Sequence, residues 1–436
     1  MDKILYVVHC VDTEGPLNEK IDATFERLKS LFGIELEPTL KNLDAIQKQE
    51  LNFNGAEKDV SDCFSPELLK YNRNWDEIDV MLKEMLSPEF RNKYLDNFGN
   101  GWKYSWHCMD HMGIYDNPRE KDIGYGKIFK HYKEILKEYN CNSDEINWHF
   151  HPLSLTRKST HAATSYLNNY DILIEILCRR IIEDDWFPTV NRPGFHSERP
   201  DSHAFLEQWI PFDYANQYIN EKAEQPDAMG GRFGDWTRSP STWRGYNPSH
   251  DDYQKRGLCK RVIFRCLNVG TRFRLLSRVH VEEAFSEAQE QGSAILAFAN
   301  HDFREMRPDI EAVCELLEST KSKYPDVKIK FAGAEEAALL LLGHINQTPP
   351  ELSLILHQNK LVVEVIKGEI FGPQPFFAIQ TKKDEFFHDN LDVLIPQNKW
   401  TYVFDDQTLP LSNVRNIGIG TAGKYGRYFT TKIKIN

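Results

Sequence analysis

Up to about residue 343 the chain alternates short apolar runs with long amphipathic stretches, and that rhythm leaves few architectures open. KILYVVH (3–9), WKYSWH (102–107), EINWHF (145–150), PTVNR (188–192), WIPFDYA (209–215), AILAFA (294–299) and VKIKFAG (327–333) read as strands. Between several of them lie IFKHYKEILKEY (128–139), YDILIEILCRRIIED (170–184), HVEEAFSEAQEQG (280–292) and DIEAVCELLESTKSKY (309–324), with apolar residues at helical spacing. Such alternation implies parallel βαβ units, and seven strands suffice for a closed or nearly closed α/β barrel. An open doubly wound sheet is the alternative, but no G-x-G-x-x-G or Walker A loop follows any strand. Residues 17–100 do not fit the repeat. They hold helical segments around ATFERLKSLFGI and NLDAIQKQE and read as an insertion after the first strand.

The texture changes after Gly343. Residues 344–350 form a Pro-containing linker. Then LSLILHQ, KLVVEVIKG, PFFAIQT, LDVLIP, WTYVFDD, NIGIGTA and RYFTTKIKIN follow, rich in β-branched and aromatic residues and separated by turn residues. This pattern predicts a small antiparallel β-sandwich over 351–436, appended to an α/β domain over 1–343.

Charge and cysteine usage narrow the function classes. The net charge of −12 argues against a nucleic-acid partner. The apolar runs fall well short of the ~20 residues that span a bilayer, so no membrane partner is expected. The N-terminus reaches Asp12 and Glu14 too early for a signal peptide, which points to a cytoplasmic protein. Eight irregularly spaced cysteines without a C-x-x-C read as buried thiols rather than a disulfide framework. One stretch runs against the average: Lys255, Arg256, Lys260, Arg261, Arg265, Arg272, Arg274 and Arg278 occur with no acid among them. It reads as a solvated helix face, or as a site for a phosphate or a nucleotide-linked sugar. The oligomeric state stays open.

In α/β barrels reactive side chains gather at the C-terminal ends of the strands, and here nearly every strand end carries one. The first ends in His9-Cys10-Val11-Asp12-Thr13-Glu14-Gly15-Pro16. Asp12 and Glu14 share a face and supply a general base and a metal ligand. His149 and His151 share a face in NWHFHP, a pattern that gives two imidazoles to one zinc ion. Arg192, in NRPGFH, can orient a carboxylate, and Gly194 leaves room for a ligand. His301-Asp302 closes a late strand, where His301 suits a general acid. His107 and His111, with Asp110 between them, form a further pair near the same mouth.

The series DTEGP, EINWHFHPLS, NRPGFHS with WIPFDYANQ, and ILAFANHD resembles the NodB-type polysaccharide deacetylases, metal-dependent carbohydrate esterases, over about residues 1–340. The resemblance implies a distorted (β/α)7 barrel. It implies Asp12 as catalytic base, Glu14, His149 and His151 as metal ligands, Arg192 as the orienting arginine and His301 as catalytic acid. Asp235-Trp236 matches the family's Asp-Trp motif poorly. Two departures stand out. The family's H-x-x-x-H is H-x-H here, and its adjacent aspartates are replaced by Asp12 and Glu14 flanking Thr13, so the base and ligand roles could be exchanged.

The expected chemistry is hydrolysis of an acetyl group from an N-acetylated sugar, free or nucleotide-linked, with Zn²⁺ (or Co, Ni or Fe) activating water. Trp148, His107, His111, Tyr214 and Asp302 are the expected substrate contacts, with Trp106 and Trp243 as further stacking candidates. The alternatives are an amidohydrolase-type C–N hydrolase and a catalytically silent carbohydrate-binding protein.

Overall fold

β1 (Lys3–Thr13) is the strand around which the protein closes. In the computed structural model, which describes residues 2–158, 165–219, 234–271 and 275–435, six helices follow it: α1 (Ile21–Phe32), α2 (Leu40–Gln47), α3 (Glu57–Cys63), α4 (Pro66–Leu69), α5 (Trp75–Met85) and α6 (Pro88–Lys93). The chain continues through β2 (Ser105–Cys108), α7 (Lys127–Glu138), β3 (Glu145–Phe150), α8 (Tyr170–Ile182), β4 (Val190–Pro193), α9 (Pro200–Trp209) and β5 (Phe212–Asn216). A hairpin of β6 (Pro248–Ser249) and β7 (Asp252–Arg256) comes next. Then follow β8 (Val262–Asn268), α10 (Arg278–Gln291), β9 (Ser293–His301), α11 (Arg307–Lys321), β10 (Val327–Phe331) and α12 (Ala334–Leu341).

Strands β1, β2, β3, β4, β5, β8 and β9 pair in parallel in that order, and β9 pairs back onto β1, closing a seven-stranded barrel. β1 is long enough to hold two strands along one edge. Lys3–Val7 pairs with β10, and Cys10–Thr13 pairs with β2. VKIKF is therefore a strand beside the ring rather than a member of it. The missing seventh member is β8, which lies inside the basic stretch. Among its described residues that stretch is mostly strand rather than a helix face, with Lys255, Arg256, Lys260 and Arg278 exposed and Arg261 and Arg265 buried. Val262, Phe264 and Cys266 fill the barrel, while Arg261 points outward to the buried Glu198 and Asp213 and Arg265 to the half-buried Glu283.

Period-two alternation sorts the side chains. Tyr6, Val8 and Cys10 of β1 point inward with Phe212, Tyr214, Ile295, Ala297 and Ala299, while Leu5, Val7 and Val11 face the surrounding helices. α12 plugs the N-terminal end of the barrel with Ala334, Ala337, Ala338 and Leu339, and the Ala334 N–H donates to Ser105 Oγ at 2.8 Å. The opposite end is left for side chains with chemistry. All eight cysteines are free thiols. No helix among the described residues is long and apolar enough to cross a membrane.

The C-terminal region holds β11 (Glu351–His357), β12 (Lys360–Lys367), β13 (Phe376–Thr381), β14 (Phe386–Asp389), β15 (Asp392–Ile395), β16 (Lys399–Val403), β17 (Val414–Ala422) and β18 (Tyr428–Lys434). They form two four-stranded antiparallel sheets, β11-β12-β16-β15 and β14-β13-β17-β18, around one apolar core that includes Leu361, Val363, Phe377, Trp400 and Ile419. β14, with the pattern FFHD, is the strand the sequence reading did not single out. The second sheet docks on α8: Phe376, Ala378 and Ala422 share a core with Ile181 and Phe187. Gly420 permits this contact, because a Cβ there would stand 2.7 Å from both Ile181 and Phe187. Gly420→Val should therefore lower stability by about 1–3 kcal/mol through overpacking, measured by denaturant unfolding. An unchanged midpoint would show that the sheet does not bear on α8.

Candidate metal centre

Strand register brings the site residues to one level. Asp12 pairs with His107 of β2 on one side and with His301 of β9 on the other, while His149 of β3 pairs with Arg192 of β4. The C-terminal mouth of the barrel thus collects these side chains from five strands before any loop contributes.

Asp12 and Arg192 form a buried ion pair, with Arg192 Nε donating to Asp12 Oδ1 at 2.6 Å. Arg192 also donates to the Tyr214 carbonyl at 3.0 Å and to Asn268 Oδ1 at 3.2 Å. Burial opposes the charge on Asp12. The Arg192 guanidinium and the imidazoles of His149, His301 and His107 outweigh it and hold the carboxyl well below the usual range. Asp12 is therefore an ionised carboxylate at neutral pH.

Glu14, His149 and His151 offer donor atoms that all lie within 4.8 Å of one another. His149 Nδ1 donates to the Arg192 carbonyl at 2.6 Å, which fixes the tautomer and turns the Nε2 lone pair toward the cluster. His149 Nε2 and His151 Nε2 stand 2.9 Å apart, and His151 Nε2 lies 3.5 Å from Glu14 Oε1. His151 rests on the backbone at Gly194, where a Cβ would come within 2.4 Å of the ring. The room at Gly194 is thus taken by His151 rather than by a ligand. One carboxylate oxygen and two imidazole nitrogens are a donor set that suits zinc.

Glu14 is held from several directions. Its N–H and that of Gly15 donate to the two oxygens of Asp302, at 2.9 and 3.0 Å. His111 Nε2 donates to the Glu14 carbonyl at 2.8 Å. The Lys121 ammonium pairs with Glu14 Oε2, and both side chains are buried. Burial raises the Glu14 carboxyl, but Lys121 and then His151, His301 and His149 bring it well below its ordinary value. His301 Nε2 lies 3.9 Å from Asp12 Oδ2 and 3.8 Å from Glu14 Oε1. Burial pushes its imidazole down to about 4 against the pull of both carboxylates, so it stands neutral at neutral pH.

Several expected substrate contacts have other work. Asp302 is wholly buried and uses its carboxylate on the backbone of Glu14 and Gly15 and on the Tyr132 hydroxyl at 2.9 Å. His111 borders the cavity but grips the Glu14 carbonyl. His107 lies behind Asp12 and outside the cavity lining, with Nδ1 3.4 Å from the Trp148 carbonyl. Trp148 points out of the barrel and stacks between Phe150 and Trp186. Tyr214 points inward at the closed end, where its hydroxyl donates to the Ala334 carbonyl at 2.6 Å. Trp106 and Trp243 are also buried away from the cavity, held by Asp144 and by Arg265 respectively. Asp110 pairs with Arg180 at 2.8 Å, and Trp236 donates to the His196 carbonyl.

The cavity over the site has a volume of about 850 Å³, within the range of small-molecule sites. The insertion roofs it through Leu17, Ala23, Arg27, Leu31 and Tyr71, and the rings that face it are Tyr71, Phe195 and Phe303. Asn268 and Thr271 of the Lys255–Arg278 stretch border it, but none of that stretch's described basic side chains does. Arg261 pairs with Glu198 and Asp213, and Arg265 with Glu283. Arg272 and Arg274 lie outside the described residues. Sequence reading missed Lys121, whose surroundings, GIYDNPREKDIG, carry no periodic signal. Comparison of the chain with protein-family models, curated proteins and solved structures gives no match.

Lys121→Met leaves a buried carboxylate without its cation. It should cost the metal-free protein about 3 kcal/mol of stability in denaturant unfolding. A change near zero would mean that Lys121 does not neutralise Glu14.

Proposed function

We propose that the chain is a metal-dependent deacylase that removes the acetyl group of a small N-acetylated sugar, on a distorted (β/α)7 barrel of the NodB type. The observation that carries this reading is the convergence of Glu14, His149 and His151 beside the ionised Asp12 at the barrel mouth. Those three residues would hold Zn²⁺, with Co, Ni or Fe able to use the same donors. A divalent ion so held supplies Lewis acidity toward the acyl oxygen and acidifies a water. Asp12, ionised and oriented by Arg192, takes the proton from the attacking water. His301, neutral and 3.9 Å from Asp12, receives that proton and delivers it to the leaving amine. The roof formed by residues 17–31 closes the mouth into a cavity and favours a small substrate over a polymer strand.

Lys121 favours a second reading, in which its ammonium is the cation beside Glu14 and the site works without metal. Bound metal discriminates between the two.

Acetate release from a panel of N-acetylated sugars, measured on zinc-loaded protein, tests the assignment. Asp12→Asn and His301→Gln should each lower kcat by about 10²–10⁴-fold with little change in KM. Wild-type rates in Asp12→Asn would remove Asp12 from the chemistry.

A further inference from the structure

We propose that this cavity takes a substrate bearing a carboxylate or phosphate group, and that Arg304 is the residue that recognises it. The inference deepens the deacylase reading by naming a substrate class for the same cavity. It rests on that reading only for the word substrate, since the anion site itself is a matter of binding.

Arg304 lines the cavity three residues after His301 and is half-buried. Its guanidinium lies over two rings, 5.3 Å from the centroid of Tyr71 and 5.0 Å from that of Phe303. Nε donates to the Leu68 carbonyl at 3.1 Å, and Nη1 makes one long contact, 3.5 Å, to the Gly270 carbonyl. Among the described residues no ion pair within 4 Å is formed with it; the nearby Asp309 carboxylate feels its charge but accepts from Asn300 Nδ2 at 2.9 Å. A guanidinium carries five N–H donors in a planar fork that matches a carboxylate or phosphate. Here the aromatic faces fix the plane while most of the fork is left unused.

The rest of the lining shows why this cation is distinct. Asp12 and Glu14 are matched by Arg192 and Lys121, while Asp110 shares Arg180 with Asp184, which lies outside the lining. On the roof Arg27 and Arg119 share one carboxylate, that of Glu19, which leaves that wall with an excess positive charge. Glu26, at the exposed rim, is the lining carboxylate without a basic partner. The inner cavity therefore favours an anion, and an enclosed site strengthens the attraction. Phe303 links the two ends of the site, with the His301 ring 4.6 Å from its own and Lys121 Nζ 5.5 Å from its centroid. An anionic group on Arg304 thus leaves the remainder of a small molecule beside His301.

Calorimetric titration of the full-length protein with N-acetylglucosamine, its 6-phosphate, N-acetylmuramic acid and inorganic phosphate tests this. At least one anionic sugar should bind about tenfold or more tightly than the neutral sugar. Arg304→Gln should abolish that preference, and Arg304→Lys should retain part of it. The phosphate and carboxylate arms tell which oxyanion is recognised. Equal affinity for neutral and anionic sugars, no binding of any anionic probe, or an unchanged preference in Arg304→Gln would overturn the proposal. A merely structural role at Leu68 would lower the melting temperature of both variants without altering the preference. Anion preference without acetate release would sink the deacylase reading and leave this one standing.

Discussion

Arg192 organises the mouth of the barrel. Its side chain crosses from β4 to the carboxylate of Asp12 on β1, and its carbonyl fixes the tautomer of His149 on β3. Removing one partner of a buried ion pair costs about 3–5 kcal/mol, so this pair ties β4 to β1 across the barrel as well as holding the charge of one carboxylate. The closed barrel makes the arrangement possible. Only when β9 returns to β1 does His301 stand level with Asp12.

Around that pair the protein builds a second rigid point at Glu14. The Asp302 carboxylate, the His111 imidazole and the Lys121 ammonium each take a different part of the residue. A carboxylate positioned by both its backbone and its side chain keeps its Oε1 edge toward His151. Preorganisation of this kind is what a metal ligand needs. The insertion supplies the roof, and the C-terminal sheets brace α8 from outside.

Much of the site was legible because strands obey a period of two. Asp12, His149, Arg192 and His301 could be placed at strand ends from local spacing alone. The same rule should have removed Trp148, since a strand that turns His149 inward must turn Trp148 outward. Tyr214 has the right parity but the wrong height, and height along a barrel is set by stagger between strands, which local sequence does not encode. β8 was hidden because Arg261 and Arg265 are buried against acids from other elements, so a barrel strand reads as a basic surface. Lys121 comes from a loop that reaches the site through long-range packing alone, and Arg304, only three residues past the end of β9, carries no motif that marks it.

Metal content tests the account most directly, by elemental mass spectrometry on wild type and His151→Ala purified without chelator. The wild type should hold near-stoichiometric zinc, cobalt, nickel or iron, and the variant should lose it. A wild-type protein that holds no metal, even after reconstitution with divalent ions, would contradict it and leave Lys121 as the only cation at Glu14.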